Sequence, residues 1–317
     1  MIIVKFSGGL GNQMFQYALY KALKKRYPET IVKADLSIYQ VEDMHYGFEL
    51  ERVFGFITGG LIQVATPREY RTVTGEMPPQ KNIKAHPLME KIWAWINART
   101  RQYATKGGKR NLIQEEPEHT VMTDSVRGKR KPKLVTSLES LDVNKNYYID
   151  GYWQDSIYFQ KVKKELKKDF VFPTLEKRMD DTNRTVAIHV RRGDYVGSEY
   201  DVLSVEYYQQ AIKYIQESAQ NVNLQYYVFS EDEQYIKEKF AWLGNYTFVD
   251  WNKGRDSYRD MQLMSLCKYQ IIANSSFSIW SAYLNQNEDR IVCYPAKYTK
   301  TLQFVEQEEP GWKKIEV

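Results

Sequence analysis

Ile2-Ile3-Val4-Lys5-Phe6-Ser7-Gly8-Gly9-Leu10-Gly11-Asn12 opens the chain, and its reading decides the fold. A short apolar run that enters a glycine cluster directly suits a buried strand ending in a tight turn. From Asn12 to Tyr27 the period changes. Met14, Phe15, Ala18, Leu19, Ala22 and Leu23 share one helical face, Lys21, Lys24 and Lys25 lie off it, and Pro28 follows the end. Strand, glycine turn and helix in this order begin a doubly wound α/β domain. Residues 31–36 fit its second strand.

The second half repeats the grammar. A strand from Thr185 to Val190 runs straight into Arg191-Arg192-Gly193-Asp194, and a helix spans Val205 to Glu217. A strand from Gln225 to Phe229 ends in Ser230-Glu231-Asp232-Glu233, and a helix covers Asp260 to Cys267. The strand Tyr269 to Ala273 then leads into Asn274-Ser275-Ser276-Phe277-Ser278, where another helix begins. Strands alternating with helices imply a second parallel sheet with right-handed crossovers. A chain of 317 residues accommodates two such domains of roughly 150 residues each. They are drawn at 1–175 and 176–317, with the extreme C-terminus expected to pack back on the first. Within the first, residues 66–135 are rich in proline and carry Gly107-Gly108. Part of this stretch reads as an insertion or mobile loop, with one helix around Leu88 to Ile96. Regular structure resumes at Tyr147 to Trp153, followed by a basic helix from Phe159 to Phe170.

Composition narrows the class. Hydrophobic residues at 43% and charged residues at 27% belong to an ordinary globular protein, not a fibrous or disordered one. The 25 tyrosines suit either a sugar-binding surface or a Tyr-rich core. Cys267 and Cys293 each sit in an apolar run, which implies buried free thiols rather than a disulfide. No apolar run approaches the ~18 residues a membrane span needs, and the N-terminus reads as a strand, not a signal peptide. These features imply a cytoplasmic protein, or one peripheral on the inner membrane face. The net charge of +5 is concentrated: residues 99–133 hold ten Lys/Arg against four Asp/Glu. Such a segment suits an anionic membrane surface, or a solvated loop; a nucleic-acid-binding protein is the rival from another class, although no interleaved aromatics accompany the charges.

Four segments could carry chemistry. The glycine turn at 8–11 lets backbone approach a ligand, and Asn12 and Gln13 add amides at a helix entrance. His189-Val190-Arg191-Arg192-Gly193-Asp194 falls at a strand's carboxyl end, where guanidinium forks suit a diphosphate. Ser275, Ser276 and Phe277 open a helix whose N–H groups favour an anion, or merely cap it. Ser230 to Glu233 reads first as a simple helix cap. The chain has no D-x-D pair and no paired cysteines, so neither a bound divalent ion nor a structural zinc is expected.

Taken together, residues 8–18 (Gly-Gly-Leu-Gly-Asn-Gln-Met-Phe-Gln-Tyr-Ala), 151–154 (Gly-Tyr-Trp-Gln), 189–195 (His-Val-Arg-Arg-Gly-Asp-Tyr) and 274–280 (Asn-Ser-Ser-Phe-Ser-Ile-Trp) closely resemble the bacterial alpha-1,2-fucosyltransferases. The likeness includes Asp260 to Cys267 and spans nearly the whole chain, leaving only the basic 99–133 segment outside. It implies a GT-B-like α/β architecture, two Rossmann-like domains facing across a cleft. It also implies inverting, metal-independent transfer of L-fucose from GDP-fucose to the 2-hydroxyl of a galactoside. By position, Arg191 would bind the β-phosphate and His189 shape its pocket, as the catalytic pair. Arg192, Asp194, Ser230, Asp260, Asn274, Ser275, Ser276 and Phe277 would hold the donor, with Asp260 on guanine. Gly9, Asn12 and Gln13 would lie on the fucose and acceptor side. A fucosyltransferase of other acceptor or linkage remains an alternative, and Asp155, Asp194, Glu231 and Asp232 all remain open as general base.

Overall fold

The computed structural model describes residues 1–41, 45–79, 112–114, 122–124, 136–175, 179, 181–220, 223–304 and 309–316. The chain divides into two compact units, residues 1–120 with 133–171, and 121–132 with 172–317.

In the first unit, β1 (Ile2–Lys5) leads into α1 (Leu10–Arg26), then β2 (Val32–Asp35), α2 (Glu49–Phe54) and α3 (Pro67–Thr74). Then come β3 (Leu112–Gln114) and, belonging to the second unit, β4 (Met122–Asp124). The first unit resumes with α4 (Thr136–Glu139), β5 (Tyr147–Asp150) and α5 (Lys163–Asp169). Its sheet is wholly parallel, in the order β2-β1-β5-β3. The apolar run of β1 is buried because this strand lies inside the sheet. The helix expected over Phe159–Phe170 is broken: two 3-10 turns at Ser156–Tyr158 and Gln160–Val162 precede the short α5. Phe159, between the turns, has non-helical backbone and a buried ring.

The turn after β1 is held from within α1, which is buried nearly all round. Gly8 adopts φ +75°, a conformation that only glycine takes without strain. The fully buried Gln13 side chain donates from Nε2 to the carbonyls of Gly8 (2.8 Å) and Gly47 (3.0 Å). Its Oε1 accepts from the amides of Glu49 (2.8 Å) and Leu50 (3.2 Å). Gln16 donates to Gly151 O (3.0 Å) and accepts from Ser7 N (3.0 Å). Two glutamines thus bind the turn, the entry to α2 and the end of β5 to one helix.

In the second unit the order is β6 (Thr185–His189), α6 (Val205–Ala219), β7 (Gln225–Phe229), α7 (Glu233–Lys239) and β8 (Tyr246–Phe248). There follow α8 (Tyr258–Leu266), β9 (Tyr269–Ile271), α9 (Ser276–Leu284), β10 (Ile291–Pro295), β11 (Leu302–Phe304) and β12 (Trp312–Ile315). Six strands form a parallel sheet in the order β12-β10-β9-β6-β7-β8, and β11 pairs antiparallel with β4. The extreme C-terminus, expected on the first domain, is committed instead to this sheet as its edge strand β12. All five residues of β6 are buried. Tyr207 of α6 ties the sheet's middle together, its hydroxyl donating to Ile272 O (2.6 Å) and Cys293 O (3.2 Å). Both cysteines are free and buried, and many tyrosines are core residues. The expected helix at 88–96 lies outside the described residues, and so does most of the 99–133 segment. Two Rossmann-like α/β units, the make-up of the GT-B class, are nevertheless complete in outline.

Gln13→Ala should lower stability by about 3 kcal/mol, because buried amides and carbonyls lose their partner at once. Urea or thermal unfolding measures this, and a change under about 1 kcal/mol would contradict the clamp.

Candidate active site

The second sheet fans out from β6. β7 and β8 follow on one side, while β9, β10 and β12 lie on the other. Connections therefore diverge between β6 and β9, leaving an open crevice at their carboxyl ends, the usual ligand position in such sheets. Residues 189–194 leave β6 there, and residues 274–278 leave β9 beside them.

Arg191 is gripped by two carboxylates. Its guanidinium donates to Asp194 Oδ1 (2.5 Å) and pairs with Glu231 Oε1 (3.3 Å), while Tyr195 lies under it at 5.3 Å. Glu231 Oε1 also accepts from the Arg192 amide at 3.1 Å. A Cβ on residue 193 would fall 2.6 Å from that same oxygen, and Gly193 has φ +36°. Glycine is required here so that Glu231 can approach. Arg192 turns the other way, stacking on Tyr235 (3.9 Å) and pairing with Asp201 (3.4 Å) and Asp232 (3.7 Å).

His189 meets Phe277 across the crevice, with ring centroids 5.9 Å apart. Burial, reinforced by the Arg191 guanidinium, pushes its imidazole down to about 3. It is neutral at working pH, and its buried Nδ1 has no hydrogen-bond partner among the described residues. A neutral imidazole serves as a polar wall rather than a proton carrier. Ser275 precedes α9 and makes no side-chain cap, so the helix's first-turn N–H groups stay available near Ser276 and Phe277. The Tyr195 hydroxyl donates to Asn274 O (3.2 Å) and meets Ser275.

Other expected residues are placed differently. Asn274 is buried, and its amide donates to Tyr200 O (3.0 Å) and Tyr298 O (2.6 Å), so it braces the loop and has no free donor for a ligand. Ser230 accepts from Asp232 N (3.2 Å), and Asp232 caps α7 through Tyr235 N (3.0 Å), as the cap reading expects. Asp260, in the first turn of α8, accepts from Asn252 Nδ2 at 2.8 Å, and burial raises its carboxyl to about 7. In the first unit, Gln13 is saturated by backbone groups and cannot also hold a sugar. Asn12 is half-buried and accepts from Gln154 Nε2 (2.8 Å). Gly9 is the N-cap of α1, with the His45 ring packed where its Cβ would stand. Among the possible bases, Asp194 has a side chain 69% exposed, whereas Asp155 is buried. The clasp by Glu231 is the feature that sequence reasoning missed; the glycine at 193 was its one visible trace.

A model of glycosyl transferase family 11 matches residues 100–316, more than half of the chain. The chain belongs to glycosyl transferase family 11. This is the family of the bacterial alpha-1,2-fucosyltransferases whose motifs the sequence shares. The matched range runs through the basic segment from residue 100 onward, which therefore does not lie outside the family pattern as expected. The O-antigen biosynthesis glycosyltransferase WbnK of Escherichia coli is 27% identical over 317 residues, covering 92% of this chain and 93% of that protein. An alpha-1,2-colitosyltransferase of Escherichia coli is 29% identical over 321 residues, covering 94% and 92%. The solved fucosyltransferase NodZ from Bradyrhizobium superposes with a TM-score of 0.42 at 12% identity, over 89% of this chain and 92% of that one. The protein is a glycosyltransferase, and among the described residues no helix is long and apolar enough to cross a membrane.

Asp155 supplies a test of the burial argument. Its Oδ1 accepts from Ile157 N (2.9 Å), its Oδ2 has no hydrogen-bond partner, and burial raises the carboxyl to about 7. A folded-state value raised above the ordinary 3.8 contributes stability that is full below pH 3.8 and is lost as pH rises from there through about 7. Asp155→Asn keeps an acceptor for Ile157 and cannot ionise. The fall in Tm between pH 5 and 8 should therefore shrink by several degrees, a shift readable by calorimetry.

Proposed function

We propose that this glycosyltransferase moves L-fucose from GDP-β-L-fucose to the 2-hydroxyl of a terminal galactose, with inversion and with no metal ion. The reading rests above all on Arg191: a guanidinium fixed at the carboxyl end of the central strand by Asp194 and Glu231, over the ring of Tyr195, whose hydroxyl reaches Asn274 O just before α9. Family membership and a relative named as an alpha-1,2-colitosyltransferase support the linkage. That relative's name also favours a second reading, in which the donated sugar is colitose.

In the reaction the bond from fucose C1 to the β-phosphate oxygen breaks while the acceptor oxygen bonds to C1 from the opposite face, its hydroxyl proton passing to the departing β-phosphate. Negative charge grows on the departing GDP. Arg191 and the N–H groups that open α9 stand ready to neutralise it, and donors already in place cost no reorganisation at that moment. Glu231 and Asp194 fix the guanidinium until the diphosphate arrives, and the phosphate oxygens then compete with the exposed Asp194 for it. His189 and Phe277 form an uncharged wall beside the diphosphate. Asp260 accepts from the guanine N–H groups in place of Asn252. Asn12 and Gly9, at the turn of the first unit, are the acceptor-side residues in this reading.

Arg191→Ala should lower kcat by roughly 10²–10³-fold with the fold intact, and near-native turnover by the purified variant would refute the phosphate assignment. The same assay with GDP-fucose, a galactoside panel and EDTA tests the rest. Loss of transfer in EDTA removes the metal-free clause, and NMR of the product settles the linkage. Asp260 adds a pH signature, because guanine N–H donors need its carboxylate. With the free carboxyl near 7, GDP should bind about tenfold more weakly at pH 6 than at pH 8. Calorimetric titration should show this limb vanish in Asp260→Asn.

A further inference from the structure

We infer that the face built by the end of α1 and by α5 is a docking surface for an anionic lipid bilayer. Along residues 161–170 the buried Val162, Leu166 and Phe170 recur every four residues and point into the first unit. Lys161, Lys164 and Lys168 fall between them and are exposed. Beside this row run Lys21, Lys24, Lys25 and Arg26 at the end of α1. The two rows form one surface. Lys25 Nζ donates to Lys161 O (3.1 Å) and pairs with Glu165 (2.5 Å), Lys21 pairs with Asp169 (2.6 Å), and the Tyr17 hydroxyl donates to Asp169 (2.7 Å).

With Lys163 and Lys167, nine cations share this surface, and Glu165, Asp169 and Glu139 answer them. The local excess of six exceeds the +5 of the entire chain. Among the described residues Lys24, Lys161 and Lys164 form no close ion pair, and Lys168 is felt by Glu165 only at longer range. Helix capping does not account for this placement. Cations in the last turn of a helix answer its dipole, which explains Lys24 to Arg26, Lys167 and Lys168. Lys161, Lys163 and Lys164 stand before or at the opposite end of α5, where the dipole opposes them.

The chemistry fits a lipid surface better than a nucleic acid. Eight of the nine cations are lysines, point charges on long stems that sense a diffuse anionic potential rather than a phosphate fork. The aromatic rings of the two segments, Tyr17, Tyr20, Phe159 and Phe170, are buried and leave no base-stacking platform. Val171, directly after α5, is 66% exposed and offers an apolar tip next to the charges. The inference does not depend on which sugar is transferred.

The test uses the full chain and vesicles of phosphatidylcholine with or without phosphatidylglycerol. The chain should sediment with the anionic vesicles, weakly at raised salt, and not with the neutral ones. Charge reversal at Lys24, Lys161, Lys164 and Lys168 together should weaken binding more than a hundredfold, at roughly fivefold per cation. Turnover on a soluble acceptor should not change. Val171→Cys carrying an environment-sensitive dye should blue-shift only with anionic vesicles; buried Cys267 and Cys293 leave the new thiol as the reactive one. Equal binding by the reversed chain, no dye shift, or a preference for single-stranded DNA over the anionic vesicles would overturn the inference.

Discussion

One constraint governs the ligand edge of the second unit: β6 comes first in its sheet yet lies in the sheet's middle. The chain leaves β6 toward β7 on one side and leaves β9 toward β10 on the other, so the two connections diverge and open a crevice at the carboxyl ends of these strands. Burial of β6 on both faces holds that geometry rigid, and the residues released at its end inherit a fixed position. The Arg191 guanidinium is therefore placed by the sheet. Its direction is then set by Glu231, which holds the Arg192 amide and the Arg191 side chain with one oxygen.

The charge balance of that edge is unusual for a site that would receive a diphosphate. Arg191 and Arg192 face Asp194, Glu231, Asp201 and Asp232. Anions outnumber cations, so long-range attraction cannot be what selects a nucleotide sugar. On the proposed reading, selectivity comes from short directed hydrogen bonds, and internal carboxylates hold the two guanidinium groups in place. Arg192, stacked on Tyr235 and half-enclosed by acids, belongs to the frame of this site more than to its ligand surface.

The sequence made the sheet-and-helix grammar legible wherever burial is one-sided or complete. The apolar runs of β1 and β6 and the periodic faces of α1 and α6 are visible without a structure. The short strands β8, β11 and β12 were not, since three or four residues of mixed polarity carry little period, and the apolar run of β10 is too short to tell strand from buried helix. β3 and β4 lie in a stretch whose prolines and charges suggest only a loop; pairing with β5 and β11 makes them strands. Among the candidate residues, His189 after β6 meets Phe277 after β9, as their positions after neighbouring strands imply. Gln13 and Asn274 look like ligand groups in sequence because amides are polar, but the fold spends them on its own backbone. That distinction depends on burial, which no local pattern records.

The placement of β4 has a wider meaning for the chain's modularity. Residues 121–132 belong with the second unit although residues 1–120 and 133–171 make up the first. The polypeptide passes from one unit to the other three times. No single cut yields two whole halves, and a fragment ending near residue 171 would carry away the strand that β11 pairs with. Recombination that swapped the two units between relatives at one junction would exchange incomplete parts. Inheritance in this family should therefore proceed by substitution within whole genes more readily than by shuffling of halves.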